Sequence, residues 1–236
     1  MLTLRKAGDR GHTDLGWLNS FHTFSFGGYN DPAHMGFRAL RVLNDDRVAP
    51  GKGFGAHGHR DMEILSYVLE GGLAHKDSMG EEHVLGPNEV QAMSAGSGVI
   101  HSEFNASDSA PTHFLQIWIV PAVRALPPSY QQFAYPALEK RGTLRLIAGP
   151  DRASDPAAAV IHQDARMYAS VLAPGEQVAH TIPAGRHAWV QCATGALEVN
   201  GLALSEGDGL AVSDESSLTL RGAGSGDAEL LLFDLA

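Results

Sequence analysis

The sequence has few cysteines, few basic residues and no long apolar run, and each shortage excludes a class of protein. Its 236 residues include one cysteine, Cys192, so no intrachain disulfide can form, which is typical of a reducing compartment. The 27 acidic residues outnumber the 17 basic ones, and the formal net charge of −10 repels nucleic-acid phosphates and anionic lipids. No segment approaches the roughly 18 apolar residues of a membrane helix, and the polar N-terminus has no signal-peptide core. We therefore expect a cytoplasmic monomer that binds neither nucleic acid nor membranes.

Short apolar or alternating runs recur through the chain, and turn residues separate them. The apolar fraction of 44% and the charged fraction of 19% are ordinary for a globular protein. Runs such as FRALRVL, MEILSYVL and HFLQIWIV have the length of strands. Asn200-Gly201 predicts a two-residue hairpin, because both turn positions need positive φ. The pattern predicts an all-β fold of antiparallel sandwich or barrel type.

A proline-rich segment divides the chain into two parts. Residues 121 to 142, PAVRALPPSYQQFAYPALEKRG, include four prolines and are typical of a connecting segment with a short helix. We predict an N-terminal domain at 1–122, a linker at 123–142 and a C-terminal domain at 143–236. Leu85 to Ser94 aligns with Leu204 to Ser213, which indicates a duplication. Each domain is therefore predicted to be an antiparallel β-barrel of the same kind.

Two pairs of potential metal ligands lie in the first half, His57 with His59 and His101 with Glu103. Side chains alternate between the faces of a strand, so each pair projects to one side. Three imidazoles and one carboxylate from neighbouring strands suit a divalent transition metal, and iron, nickel, copper, cobalt, manganese and zinc all accept such donors. Buried charge without a partner is costly, and a metal supplies that partner. The alternative is a set of polar side chains that satisfy one another inside a β core.

The duplication also predicts what stands at these positions in the second half. An alignment by eye places Thr181 and Pro183 at the positions of His57 and His59. It places Leu220 and Gly222 at the positions of His101 and Glu103, so all four candidate ligands are lost. His180 and His187 lie nearby without a carboxylate at the matching place, and we interpret them as ordinary surface or core histidines. The C-terminal domain is therefore predicted to lack a metal site.

Other residues near the two pairs allow more than one interpretation. Arg60 and Asp61 follow His59 and either orient an imidazole or form a surface ion pair. His113 either lines a cavity or lies in the core. Three apolar residues either form the walls of a cavity for an aromatic ligand or pack in the core. They are Phe54, Met93 and Phe104. We assign no role to three histidines without a partner at a ligand spacing, His22, His34 and His75.

The residues around both pairs resemble a known family. Residues 51 to 71, GKGFGAHGHRDMEILSYVLEG, resemble the first cupin motif, and GSGVIHSEFN at 96 to 105 resembles the second. With HTFSFGG, DPAHMGF, RVLNDDRVAPG and THFLQIWIV around them, the chain resembles the pirin-family bicupins, close to the bacterial pirin-like quercetinases. The resemblance implies two cupin (jelly-roll) barrels and iron(II) as the metal. It also implies four metal ligands, His57, His59, His101 and Glu103.

The resemblance implies a reaction and leaves two questions open. A pirin-like quercetinase opens the heterocyclic ring of a flavonol such as quercetin with dioxygen and releases carbon monoxide, and we take Glu103 as both ligand and catalytic base. The alternative is a metal-dependent, redox-sensing regulator that binds protein partners, the kind of protein that pirin itself resembles. A different cupin isomerase or dioxygenase is a third interpretation. Many cupins take their glutamate four residues after the second histidine. That residue here is Glu63, which competes with Glu103.

Overall fold

Antiparallel strands account for nearly all regular structure in a computed structural model that describes residues 1–152 and 155–236. One short α-helix, α1 (Ala137–Lys140), interrupts them. Nowhere in the described chain is a helix long and apolar enough to cross a membrane. The strands are β1 (Leu2–Arg5), β2 (Gly11–Asp14), β3 (Leu18–His22), β4 (Leu40–Val48), β5 (Gly53–His59), β6 (Glu63–Glu70), β7 (Leu73–Asp77), β8 (Glu82–Leu85), β9 (Glu89–Ser94), β10 (Val99–Asn105), β11 (Thr112–Ile119), β12 (Ser129–Ala134), β13 (Arg145–Gly149), β14 (Ala159–Val160), β15 (Ala165–Leu172), β16 (Gln177–Thr181), β17 (His187–Thr194), β18 (Ala196–Val199), β19 (Leu202–Ser205), β20 (Gly209–Val212), β21 (Ser217–Gly222) and β22 (Ala228–Leu235).

The chain forms two units whose boundaries differ from the predicted domains. The N-terminal unit comprises residues 11–134 and 150–163, and the C-terminal unit comprises the remaining ranges, 1–10, 135–149 and 164–236. The first residues belong to the C-terminal unit because β1 pairs with β20, Leu4 lying opposite Leu210. The predicted linker contains β12, which pairs with β9, Tyr130 lying opposite Met93. The boundaries of the two units therefore differ from those of the predicted domains because strands far apart in sequence pair with each other.

The N-terminal unit is a sandwich of two antiparallel sheets. The larger has the strand order β12-β9-β6-β11-β4-β3-β2, and the smaller has the order β5-β10-β7-β8. Val68 and Phe114 of the large sheet pack with Leu73 and Leu85 of the small one, which places the apolar core between the sheets. Each sheet ends in two edge strands, so the described residues form an open sandwich where a closed barrel was expected.

The C-terminal unit repeats this sandwich. Its large sheet contains the order β1-β20-β17-β22-β15-β13, and its small sheet has the order β16-β21-β18-β19. The predicted hairpin is confirmed, since Asn200 and Gly201 join β18 to β19 with φ of 48° and 83°. The space between the sheets is filled almost entirely by aliphatic side chains. Examples are Val190, Leu210, Leu218, Leu220 and Leu232.

Two glycines fix which residues are equivalent in the two units. Gly71 follows β6 and Gly195 follows β17, both with positive φ. A Cβ atom at either glycine would lie 2.7 Å from a backbone carbonyl oxygen at the start of the returning strand, that of Pro111 or Asp227. Only glycine fits such a close approach. Strand register can therefore be read outward from these two points.

The register corrects the alignment made from sequence. Two residues after the glycines, Leu73 pairs with Asn105 and Leu197 pairs with Gly222. Counting back along β10 and β21, and across to β5 and β16, gives the equivalents of the four predicted ligands. They are His180 for His57, Ile182 for His59, Leu218 for His101 and Leu220 for Glu103. The assignments to Thr181, Pro183, Leu220 and Gly222 were wrong by one or two residues, because the connections between the paired strands differ in length.

Candidate metal centre

Three histidines converge where β5 pairs with β10. His57 lies directly opposite His101, and His59 is two residues along on the same face. The Nε2 atoms of His57 and His101 are 3.1 Å apart, and one ring nitrogen from each of the three histidines lies within 4.8 Å of the others. His57 Nδ1 donates to the carbonyl oxygen of Gly55 at 2.8 Å, so its Nε2 carries the lone pair. The lone pair therefore points at the other rings.

Burial favours the neutral imidazole at His59 and His101. Burial, followed by the nearby histidines 57, 59 and 75, lowers the pKa of His101 to about 3. Burial and His57 lower the pKa of His59 to about 4. Neutral imidazole is the form that binds transition metals, and three ring nitrogens that lie this close together can bind one cation. The three rings therefore fit a divalent metal.

Glu103 lies on β10 just after a register shift, is 2% exposed, and accepts three hydrogen bonds. Its Oε1 accepts from Ser66 Oγ at 3.0 Å and from Gln91 Nε2 at 3.1 Å, and its Oε2 accepts from Gln116 Nε2 at 2.7 Å. Burial raises the pKa of Glu103, against the smaller lowering effect of His75 and these donors. The carboxylate is therefore buried but held in one orientation.

The three donors belong to a row of polar side chains that crosses the large sheet. Gln91, Ser66 and Gln116 lie opposite one another on β9, β6 and β11, and the row continues to Asn44 on β4 and His22 on β3. His22 Nδ1 and Asn44 Oδ1 are 2.9 Å apart. This row was not predicted from the sequence. Its signal is a polar residue amid apolar neighbours on the inward face of β9, β6 and β11.

His75, to which the sequence analysis assigned no role, lies beside the carboxylate. It is opposite Glu103 on β7, is 1% exposed, and stacks on Tyr130. One of its ring nitrogens lies within 4.8 Å of potential ligand atoms of His101 and Glu103. Its Nε2 donates to Asp77 Oδ2 at 3.0 Å, which leaves a lone pair on Nδ1. Two overlapping groups of donors thus share His101.

Glu63, the competing ligand, points to the other face of the large sheet. It is three residues before Ser66 on β6, and alternation places these two side chains on opposite faces. Its Oε2 accepts from Ser94 Oγ at 2.7 Å, and its Oε1 lies 3.4 Å from His162 Nδ1. Neither donor group found among the described residues includes it.

The remaining residues named from sequence have structural contacts of their own. Asp61 Oδ1 accepts from the backbone N–H of Ala125 at 2.6 Å, and Arg60 is exposed. His113 lies 2.7 Å from Asp45 Oδ1 on the face away from the metal centre. Met93 packs in a core cluster, and Phe104 is 40% exposed. Three further histidines have polar partners: His34 pairs with Asp31, His180 with Asp234, and His187 with Ser213.

A cavity of about 160 Å³ opens on this centre between the two sheets of the N-terminal unit. His57, His59 and Glu103 line one side of it. Phe54, Phe26 and Trp118 supply apolar wall, and Trp118 packs edge-on against Phe26 and His59 with ring centroids 5.3 and 4.9 Å apart. A cavity with apolar aromatic walls and a few converging polar groups is typical of a small-molecule site.

Comparisons with known proteins agree on one family. The family model "Pirin" matches residues 3–119, and the model "Quercetinase C-terminal cupin domain" matches residues 146–235. A quercetin 2,3-dioxygenase of Escherichia coli K12 is 46% identical over 235 residues, covering 100% of this chain and 99% of that protein. A pirin-like protein of Caulobacter vibrioides is 39% identical over 233 residues, covering 98% and 99%.

Solved structures show the same similarity. YhhW from Escherichia coli superimposes with a TM-score of 0.94 at 45% identity, covering 100% of this chain and 98% of that one. A structure of bacterial pirin YhhW in complex with nickel(II), also from Escherichia coli, gives a TM-score of 0.93 at 45% identity, with 100% and 99% covered.

Proposed function

Because this chain belongs to the pirin family of bicupins, we propose that it is a metal-dependent dioxygenase of the pirin-like type, which opens the heterocyclic ring of a flavonol such as quercetin with dioxygen and releases carbon monoxide. The observation that carries the proposal is the cluster of three histidines at the wall of an aromatic-lined cavity. Relatives named quercetin 2,3-dioxygenase over the full chain length support it.

Four residues would hold one divalent metal in this proposal, His57, His59, His101 and Glu103. Ring nitrogens of the three histidines converge, and Glu103, which is grouped with His101 and His75, would add the oxygen donor from the same strand as His101. Iron(II) is the metal we propose, with nickel, copper, cobalt, manganese and zinc as alternatives, and the nickel(II) complex of YhhW shows that one relative binds nickel. When bound, such a metal supplies Lewis-acid activation of a coordinated hydroxyl.

The chain's own residues contribute orientation and the exclusion of water. Ser66, Gln91 and Gln116 hold Glu103 in place, which preserves its ligand geometry before substrate arrives. Trp118 and Phe26 line the cavity with apolar surface of the kind that a flavonol ring would contact. Glu103 as catalytic base stays a prediction, and its three hydrogen-bond donors support the ligand role more strongly.

The alternative function, a redox-sensing regulator with protein partners, has one observation in its favour. On β10 the inward residues His101 and Glu103 alternate with Ile100 and Phe104, which are 56% and 40% exposed. An apolar surface on the outer side of a ligand strand is where a change at the metal could reach a partner. The enclosed aromatic cavity favours the enzyme.

Anaerobic purification with metal analysis, followed by reloading with each candidate metal, tests the proposal. Dioxygen uptake and carbon monoxide release are then measured with quercetin and a panel of flavonols. We expect uptake with at least one metal, and none in the His101→Leu variant. If no metal supports uptake with any flavonol, the dioxygenase proposal is overturned and the regulator is favoured.

A further inference from the structure

A buried acid faces the cavity from the wall formed by β3 and β4. Ser20 lies opposite Asp46 in the register of these strands, and its Oγ donates to Asp46 Oδ1. The two side chains are 1% and 3% exposed, and both line the same cavity as His57 and His59. The cavity therefore has a second polar wall besides the metal centre.

The neighbouring acid on the same strand shows how unusual this placement is. Asp45 points to the opposite face of β4, where its Oδ1 lies 2.7 Å from His113 Nε2 and 3.0 Å from Arg47 Nη1. Asp46 has no cationic partner within the described ranges, and its Oδ2 accepts no hydrogen bond there. A buried carboxyl without a cation is costly, and nothing in the packing of the fold requires one at this position.

The electrical surroundings of Asp46 suit a group that exchanges a proton near neutral pH. Burial raises its pKa to about 7, the bond from Ser20 opposes the rise, and the charges of Asp45 and Glu103 add to it. The other titratable groups that line the cavity are Glu103, His22, His57 and His59. General bases work best when their pKa lies near the working pH.

Glu103 is less suited to accept a proton from a ligand. Its two oxygens already accept from Ser66, Gln91 and Gln116, whereas Asp46 lines the cavity and accepts only from Ser20. Both oxygens of Glu103 are thus already engaged by donors, which leaves less room for a hydroxyl of a ligand.

We propose that Asp46 binds a hydroxyl group of the aromatic ligand and takes its proton. The hydroxyl O–H bond breaks, an O–H bond forms on Asp46 Oδ2, and the negative charge passes from the carboxylate to the ligand oxygen. The site would therefore select weakly acidic, hydroxylated aromatic compounds over their methyl ethers. This inference rests on the proposed function in one respect only, that the cavity binds such a ring.

The test measures ligand binding to the metal-loaded protein without oxygen, so that no turnover intervenes. Quercetin is titrated into wild type, Asp46→Asn and the control Asp45→Asn, and the absorbance of the flavonol anion reports its deprotonation. We expect Asp46→Asn to weaken quercetin binding by about 10- to 100-fold, as for loss of a hydrogen bond to a charged group, and to reduce the anion signal. Asp45→Asn should bind as wild type does. A quercetin methyl ether should bind wild type and Asp46→Asn equally.

A second variant covers the case in which Asp46→Asn does not fold. Ser20→Ala keeps the carboxyl but removes a donor that lowers its pKa, so Asp46 becomes a stronger base and the anion signal of bound quercetin should increase at neutral pH. Equal quercetin affinity and equal anion signal in wild type and in the folded Asp46 or Ser20 variant would overturn the inference, even if the protein opens quercetin. If catechol probes bind in an Asp46-dependent way while no flavonol is oxygenated, the inference stands and the proposed function fails.

Discussion

The two units have the same strand order but different contents between their sheets. At the positions of His59, His101 and Glu103, the C-terminal unit has three buried aliphatic residues, Ile182, Leu218 and Leu220. The position of His57 retains a histidine, His180, whose Nε2 lies 3.0 Å from Asp234 Oδ2. A sandwich thus forms with an apolar core, so the fold itself does not require the candidate ligands of the N-terminal unit.

The residues that support the ligands differ in the same way. Across the large sheet of the N-terminal unit run Asn44, Gln116, Ser66 and Gln91, and across that of the C-terminal unit the register places Tyr168, Leu232, Val190 and Leu210. The position of Asp46 holds Ser170. A buried carboxylate needs donors, and donors without a carboxylate would be left unsatisfied. Ligands and supporting row are therefore present together or absent together.

The largest effect on metal affinity is expected when a candidate ligand of the N-terminal unit is replaced by the residue at the equivalent position of the C-terminal unit. His101→Leu introduces the residue found at Leu218 and removes the histidine shared by both donor groups. Metal affinity should fall more than about 100-fold, since the outer-shell changes that cost about 10- to 100-fold leave the ligand itself in place. Competition with a chromophoric chelator measures it. His180→Leu is the matched control and should leave metal binding unchanged, whereas near-wild-type affinity in His101→Leu would contradict the ligand assignment.

The next effect concerns the supporting row. Gln116→Leu copies Leu232 and removes the 2.7 Å hydrogen bond to Glu103 Oε2. Because the carboxylate loses an orienting donor, we expect metal affinity to fall about 10- to 100-fold, measured by the same competition. The control is Gln132→Leu on β12, whose amide bonds to Tyr130, Val84 and Glu89 instead of Glu103. Equal losses in the two variants would show that the row has no special role.

The sequence predicts the ligand candidates better than their support. His57, His59, His101 and Glu103 stand out because two alternating pairs of metal-binding side chains are rare in strands. Ser66, Gln91 and Gln116 do not stand out, since single polar residues occur on many strands. Only the pairing of β9, β6 and β11 aligns them under Glu103.

Strands and the hairpin at Asn200-Gly201 could be predicted because their signals are local. The pairing of β1 with β20 could not, since it joins residues about as far apart as the chain allows, Leu2 lying opposite Val212. The equivalence of Glu103 and Leu220 also needed strand register, because unequal loop lengths shift an alignment without changing its appearance.

The buried carboxyl of Asp46, which lines the cavity, should lower the stability of the protein at neutral pH. Burial raises its pKa from 3.8 to about 7, so between these pH values the folded state binds more protons than the unfolded state. The stability of the metal-free protein should fall as pH rises through this window and be level above it as far as this group is concerned. Asp46→Asn removes the effect. Its advantage in unfolding free energy should be near zero at pH 4 and on the order of 4 kcal/mol at pH 8, measured by urea unfolding.

The matched control for this prediction is Asp45→Asn on the same strand. Asp45 is paired with His113 and Arg47, so its loss should lower stability at neutral pH. A stability difference between Asp46→Asn and wild type that does not change with pH would show that the pKa of Asp46 is not raised in the folded state.

The smallest effect is expected at Glu63, whose counterpart in the C-terminal unit is His187. Glu63→Gln weakens contacts with Ser94 and His162 and should cost about 1 kcal/mol of stability. Metal affinity should stay within about threefold of wild type, whereas Glu103→Gln should lower it at least about tenfold. Alternation along β6 puts Glu63 on the face away from the histidines, so a loss of metal equal to that in Glu103→Gln would require the strand face itself to be reassigned.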